Sequence, residues 1–173
     1  MAVYTKKGDK GETSTLENES ISKDSKKIHA IGTLDEANSY LGVARANIAD
    51  ADVQRIILSF QTDLFITASI LSGSNLSFNS KKTKVMELLI DKLEGYLPVL
   101  KNFVITGDSP ESAHLMYART IVRRAERTII ALAKEENVSE EILVFLNRLS
   151  DAVFMLARYV NFKSSTNESV WKA

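Results

Sequence analysis

Ser139-Glu140-Glu141-Ile142-Leu143-Val144-Phe145-Leu146-Asn147-Arg148-Leu149-Ser150-Asp151-Ala152-Val153-Phe154-Met155-Leu156-Ala157-Arg158-Tyr159-Val160 decides the fold class. Ile142, Leu146, Leu149, Val153, Leu156 and Val160 fall at spacings of 4, 3, 4, 3 and 4. That is the period of a helix with one buried stripe. Ser139 followed by two acids reads as a cap with negative charge on the positive end of the helix dipole. Working backward, Ser109-Pro110-Glu111 reads as a cap with proline at the first helical position. Ala118, Ile121, Val122, Ala125, Ile129 and Leu132 are the stripe of the helix it opens. A shorter segment carries Val85, Leu88, Leu89 and Leu93 and stops before Pro98. Ahead of it lie Val53, Ile57, Phe60, Leu64, Thr67 and Leu71, ending at Ser72-Gly73-Ser74-Asn75. From about Ile28 the same spacing holds at Leu34, Ala37, Leu41, Ala44 and Ile48. The expectation is an all-α, five-helix bundle in a single domain over 1–173. An irregular N-terminal loop would fill 1–27, the helices 28–163 and a tail 164–173.

The 22 Lys+Arg balance 22 Asp+Glu across 173 residues. No global field therefore favours nucleic acid or an anionic membrane. The absence of cysteine excludes disulfides, thiolate zinc sites, iron–sulfur clusters and a cysteine nucleophile. No leader-like or spanning apolar run is read, so the expected location is cytoplasmic.

The polar residues are more informative. Arg119, Arg123 and Arg127 step by four and share a face about 80° wide, with Arg124 and Glu126 off it. Three guanidiniums on one ridge repel each other, so either carboxylates of a neighbouring helix or an anionic ligand faces them. Asp35 is a candidate partner for one of them, or half of an ion pair that only sets helix register. Asn147, Asp151 and Arg158 read as lying roughly opposite the apolar stripe of the last helix. Tyr4-Thr5-Lys6-Lys7-Gly8-Asp9-Lys10-Gly11-Glu12-Thr13-Ser14-Thr15-Leu16 has no apolar period and reads as loop. Its backbone N–H groups and ammoniums could cradle phosphates, or be merely solvated. It is not a Walker A loop. Glu111-Ser112-Ala113-His114 imitates one element of a di-iron bundle, but no second element exists. With two histidines in all, a dedicated transition-metal site is not expected.

These blocks, taken in order, resemble the PduO-type ATP:cob(I)alamin adenosyltransferases. The resemblance is carried by residues 4–14, by Gly32-Thr33-Leu34-Asp35-Glu36-Ala37-Asn38-Ser39 and by Ala118-Arg119-Thr120-Ile121-Val122-Arg123-Arg124-Ala125-Glu126-Arg127. Phe145-Leu146-Asn147-Arg148-Leu149-Ser150-Asp151, Ala157-Arg158-Tyr159-Val160-Asn161 and Val170-Trp171-Lys172 extend it along nearly the whole chain. The chain departs from the usual pattern at Glu17-Asn18-Glu19-Ser20, Lys27, Ile31 and Thr106-Gly107-Asp108.

The resemblance implies transfer of the 5′-deoxyadenosyl group of ATP to cob(I)alamin, with triphosphate released. It implies a homotrimer with active sites between subunits, and a magnesium ion with ATP. Thr5, Lys6, Lys7, Gly8, Thr13, Ser14 and Lys23 are then expected at ATP, with Arg123, Arg124, Glu126, Arg127 and Asn147. Asp35 and Arg119 match a pair that joins subunits at the site, and with Arg123 they are the expected catalytic group. Phe103 matches the aromatic that lies beneath the corrin and displaces the lower axial ligand of cobalt. A cobalamin reductase and an adenosylcobalamin-dependent enzyme would be the partners, with no nucleic acid and no membrane. The competing reading is an ATP- and cobalamin-binding trimer that stores or delivers the cofactor with little catalysis.

Overall fold

The computed structural model describes residues 4, 6, 8–16 and 20–172. Its elements are β1 (Glu12–Ser14), β2 (Ser20–Ser22), α1 (Lys26–Ala46), α2 (Ala51–Leu71), α3 (Lys81–Glu94), α4 (Pro110–Leu132) and α5 (Glu140–Lys163). The five expected helices are present. Three of their starts are fixed by side-chain caps. Ser25 accepts from the Ile28 N–H, Asp50 from those of Asp52 and Val53, and Ser109 from that of Ser112, with Pro110 following at the first position. Each such cap satisfies an otherwise orphaned donor and contributes about 1 kcal/mol. Ser139 stands at the start of α5, but its hydroxyl takes no cap bond.

The stripes read from periodicity on α1, α2, α4 and α5 are the ones that meet in the core. Leu34, Leu41, Ile57, Leu115, Phe145 and Leu146 are among its fully buried side chains. Each contributes on the order of 2 kcal/mol relative to an exposed position. α1 packs on α2 and α4, and α4 on α5. α3 leans chiefly on α5.

α1 and α4 run antiparallel, and their shared face shows it. Lys26 pairs with Glu135 and Lys27 with Glu136, just past the end of α4. Thr33 and Thr128 join hydroxyls at 2.7 Å, Glu36 pairs with Arg124, and the Tyr40 hydroxyl meets His114 Nδ1 at 3.1 Å. Thr33, Glu36 and Tyr40 follow the three- and four-residue steps of one helix face.

Two local readings are corrected. Residues expected to be pure loop contain an antiparallel hairpin, with Glu12, Thr13 and Ser14 opposite Ser22, Ile21 and Ser20. Strands of three residues with one half-buried position each are too short to show an alternating pattern. On α3, Val85 and Leu88 point outward, at 66% and 60% exposed. The buried positions are Thr83, Met86 and Leu93. α3 buries only a narrow strip, with Leu89 and Ile90 half-buried against the core beside it.

Candidate functional site

The N-terminal segment is built around two glycines and a lysine. Gly11 has φ +83°, a turn conformation that other residues adopt at a cost, and its carbonyl accepts from the Lys23 N–H at 2.8 Å. Lys23 Nζ reaches back to donate to the Gly8 carbonyl at 2.7 Å. A Cβ at Gly8 would stand 2.9 Å from that ammonium. The hairpin is fastened to the helices by the Leu16 N–H, which donates to the Ser72 carbonyl at 2.9 Å. Between hairpin, α1 and α2 lies a groove of about 590 Å³. Thr13, Ser14, Thr15, Gly32, Asp35 and Phe65 are among its lining residues. The Thr15 hydroxyl is buried there without a hydrogen-bond partner among the described residues. Thr5 and Lys7, expected at the nucleotide, lie outside the described residues, as do Glu17, Asn18 and Glu19. Lys6 is exposed.

The arginine ridge occupies the other side of the chain, where α4 meets α5. Arg119 lies over the Phe154 ring, 5.3 Å from its centroid. Burial, and after it the Arg123 charge, holds the Arg119 guanidinium below the ordinary arginine range, while the Asp151 charge pushes the other way. Arg123 is exposed, and Arg127 Nη1 donates to its carbonyl at 3.1 Å. Asn147 Nδ2 donates to Glu126 Oε1 at 3.0 Å, joining α5 to α4 beside the ridge. Among the described residues, no carboxylate forms an ion pair with Arg119, Arg123 or Arg127. An anion here would relieve the mutual repulsion of the three cations.

Phe103 stands on the connection between α3 and α4 and is 79% exposed. The C-terminal tail holds the backbone around it. Trp171 N–H donates to the Phe103 carbonyl at 2.8 Å, and Val104 pairs with Val170 in an antiparallel bridge.

The structure thus brings Arg119, Arg123, Arg127, Glu126 and Asn147 together, and Gly8, Lys23, Thr13 and Ser14 together elsewhere. No residue of α4 or α5 is among the described residues lining the hairpin groove. Asp35 opens onto that groove, so within one chain it meets none of the arginines. Arg124 takes Glu36 instead, one position along, and so faces α1 rather than the ridge. Arg158 departs furthest from expectation. Read as a polar-face residue, it is 4% exposed and forked onto Glu168. The signal for its burial was the unbroken apolar run from Ala152 to Ala157, which leaves α5 no wet side there. His29 meets Asp24 and His114 meets Tyr40. Among the described residues no group of three or more histidine, cysteine or acidic residues is placed to hold a metal ion.

Comparison with known proteins supplies the remaining finding. A family model described as cobalamin adenosyltransferase matches residues 3–160. The corrinoid adenosyltransferase of Bacillus subtilis (strain 168) is 36% identical over 176 residues, covering 97% of this chain and 91% of its own. That of Mycobacterium tuberculosis is 38% identical over 171 residues, covering 92% and 88%. A variant PduO-type ATP:corrinoid adenosyltransferase from Lactobacillus reuteri, solved in complex with cobalamin and ATP, superposes with a TM-score of 0.94 at 31% identity. The superposition covers 99% of this chain and 100% of that one.

Proposed function

The chain belongs to the cobalamin adenosyltransferase family, and we propose that its two separated half-sites hold the two ends of one ATP from neighbouring copies of the chain. The activity is transfer of the 5′-deoxyadenosyl group of ATP to cob(I)alamin. Cobalt(I) supplies the electron pair for a new cobalt–carbon bond to C5′, the C5′–oxygen bond breaks, and triphosphate leaves with the electron pair of that broken bond. Because the metal is itself the nucleophile, no protein base is required. The protein's task is to place C5′ in line and to neutralise a polyanionic leaving group.

The observation that carries the assignment of residues is the ridge of Arg119, Arg123 and Arg127, left without carboxylate partners among the described residues. In this reading Arg123 and Arg127 grip the triphosphate, and Asn147 holds Glu126 in place beside them. Arg124, tied to Glu36, joins from the edge. Thr5, Lys6, Lys7, Gly8, Thr13 and Ser14 of a neighbouring copy wrap the nucleotide. That copy's Lys23 would exchange the Gly8 carbonyl for phosphate oxygen. Asp35, on the hairpin side, meets Arg119 across the interface, which answers why neither finds the other within one chain. The symmetric closure of such a head-to-tail contact is a ring, and the reading is a homotrimer. Phe103 presents an apolar face to the corrin, excluding water and the lower axial ligand.

Magnesium fits this site as an ion carried by the phosphates. The described residues make no all-protein cage, and one carboxylate beside the ridge, Glu126, is the kind of single ligand magnesium accepts alongside phosphate oxygens. It would add charge neutralisation to the leaving group. A reductase that delivers cob(I)alamin and an enzyme that consumes adenosylcobalamin are the proposed partners. The proposed location is cytoplasmic, in keeping with the absence of any helix long and apolar enough to cross a membrane among the described residues.

The test is to mix purified protein with cob(I)alamin and Mg-ATP, following the cobalamin spectrum and triphosphate together. Equal amounts of adenosylcobalamin and triphosphate are expected. Binding of both ligands with no triphosphate would instead mark a store or delivery protein.

A further inference from the structure

Arg158 sits in the last turns of α5 and ties that helix to two other segments at once. Its Nε donates to Glu168 Oε1 at 2.9 Å and Oε2 at 3.1 Å, and its Nη2 to Glu168 Oε2 at 2.9 Å. The same Nη2 donates to the Pro98 carbonyl at 3.0 Å. The arginine and glutamate side chains are 5% and 17% exposed. A buried ion pair gives little net stability over an apolar pair of the same volume, so stability alone is a weak reason for it. What this one does supply is geometry, because a planar fork fixes direction as well as distance.

The direction it fixes is that of the tail. From Glu168 onward the tail runs antiparallel beside residues 103–105. The Ser169 N–H donates to Asp108 Oδ2 at 3.1 Å, and its carbonyl accepts from the Ile105 N–H at 2.7 Å. The Val104–Val170 bridge and the Trp171-to-Phe103 bond follow. Phe103, with its ring exposed, has no packing of its own to set its height. Its backbone is located by the tail, the tail by Glu168, and Glu168 by Arg158, which also ties down Pro98 five residues upstream.

We infer that the Arg158–Glu168 pair is a clasp that positions Phe103 against the lower face of the corrin, making both of them positioning residues for cobalamin. The inference rests on the reading of Phe103 as the corrin-facing aromatic. Loosening the clasp should let Phe103 drift, and displacements near 1 Å at a reacting centre can cost on the order of 100-fold in rate.

The experiment compares Glu168→Gln, the double variant Arg158→Met/Glu168→Met, and Phe103→Ala in the full chain. For each, the KM for cobalamin and for ATP is measured, and the fraction of bound cob(II)alamin lacking a lower axial ligand is read by electron paramagnetic resonance with Mg-ATP present. Glu168→Gln should raise the cobalamin KM about tenfold or more and lower the four-coordinate fraction, with the ATP KM nearly unchanged. It also strands a buried guanidinium, so the double variant guards against misfolding by replacing the pair with apolar groups. The double variant should show the same cobalamin defect, because nothing then donates to the Pro98 carbonyl. A folded double variant with wild-type cobalamin KM and spectrum overturns the inference and leaves the clasp a packing feature. If Phe103→Ala shifts the spectrum and Glu168→Gln does not, the clasp fails while the reading of Phe103 stands. If Phe103→Ala changes neither quantity, the reading of Phe103 falls and takes the clasp with it.

Discussion

Arg123 shows how a single side chain can be placed by spacing and judged by its surroundings. It is exposed, it adds nothing to the core, and its charge is one of the causes that hold Arg119 below its ordinary range. Arg123→Ala should therefore lower kcat/KM by about 100- to 1,000-fold, the range seen when one donor to a developing anion is removed. The melting temperature should move by no more than about 2 °C, since exposed substitutions rarely exceed 0.5 kcal/mol. Arg123→Lys keeps the charge but loses the planar fork, so it should fall between the two. Steady-state kinetics beside a thermal melt decides it, and a fully active alanine variant removes Arg123 from the site. The same reasoning from spacing does not separate two adjacent acids on α1. Asp35 and Glu36 are adjacent in sequence, yet one step of about 100° sends the first to the hairpin groove and the second to Arg124. Without knowing which helix lies on which side, periodicity cannot choose between them.

Helices were legible where they bury a broad face, and less so where they bury a narrow one. α1, α2, α4 and α5 bury broad stripes, so three- and four-residue spacing finds them; α3 buries a strip, and its exposed Val85 and Leu88 misled the same rule. The hairpin left no pattern at all because its strands are three residues long. Caps were read at Ser109 but not at Asp50, which crowns α2 and also binds Lys163 at the end of α5. The hydrogen bond from Lys163 is the foremost cause holding the Asp50 carboxyl below its ordinary value of 3.8, helped by the capped Val53 N–H. A depressed carboxyl lends stability above its unfolded value and loses it as pH falls through the folded one. Asp50→Asn keeps a good capping side chain without the charge. The wild type should thus lose more stability than Asp50→Asn between pH 5 and pH 3, measured by urea unfolding at each pH. Parallel losses would show that the carboxylate adds nothing beyond the cap.

Assembly is where the arrangement of one chain makes its strongest demand. The ground for the proposed ring is that no residue of α4 or α5, which carry the arginine ridge, is among the described residues lining the hairpin groove. Lys23→Ala spoils one half and Arg123→Ala the other. Co-expressed in equal amount, they should regain about a quarter of wild-type activity, the chance that two random neighbours supply both intact halves. Each variant alone should stay poorly active, and no recovery on mixing would place the site inside a single chain. Little of this was visible in periodicity, which finds helices but does not say which faces remain open. The order of synthesis adds a last consequence, through the tail that holds Phe103. Residues 103–105 leave the ribosome before α4 and α5 exist, whereas the backbone partners that locate them arrive only with residues 169–171. A chain halted before residues 169–171 would therefore leave Phe103, the proposed corrin-facing aromatic, without the backbone bonds that locate it.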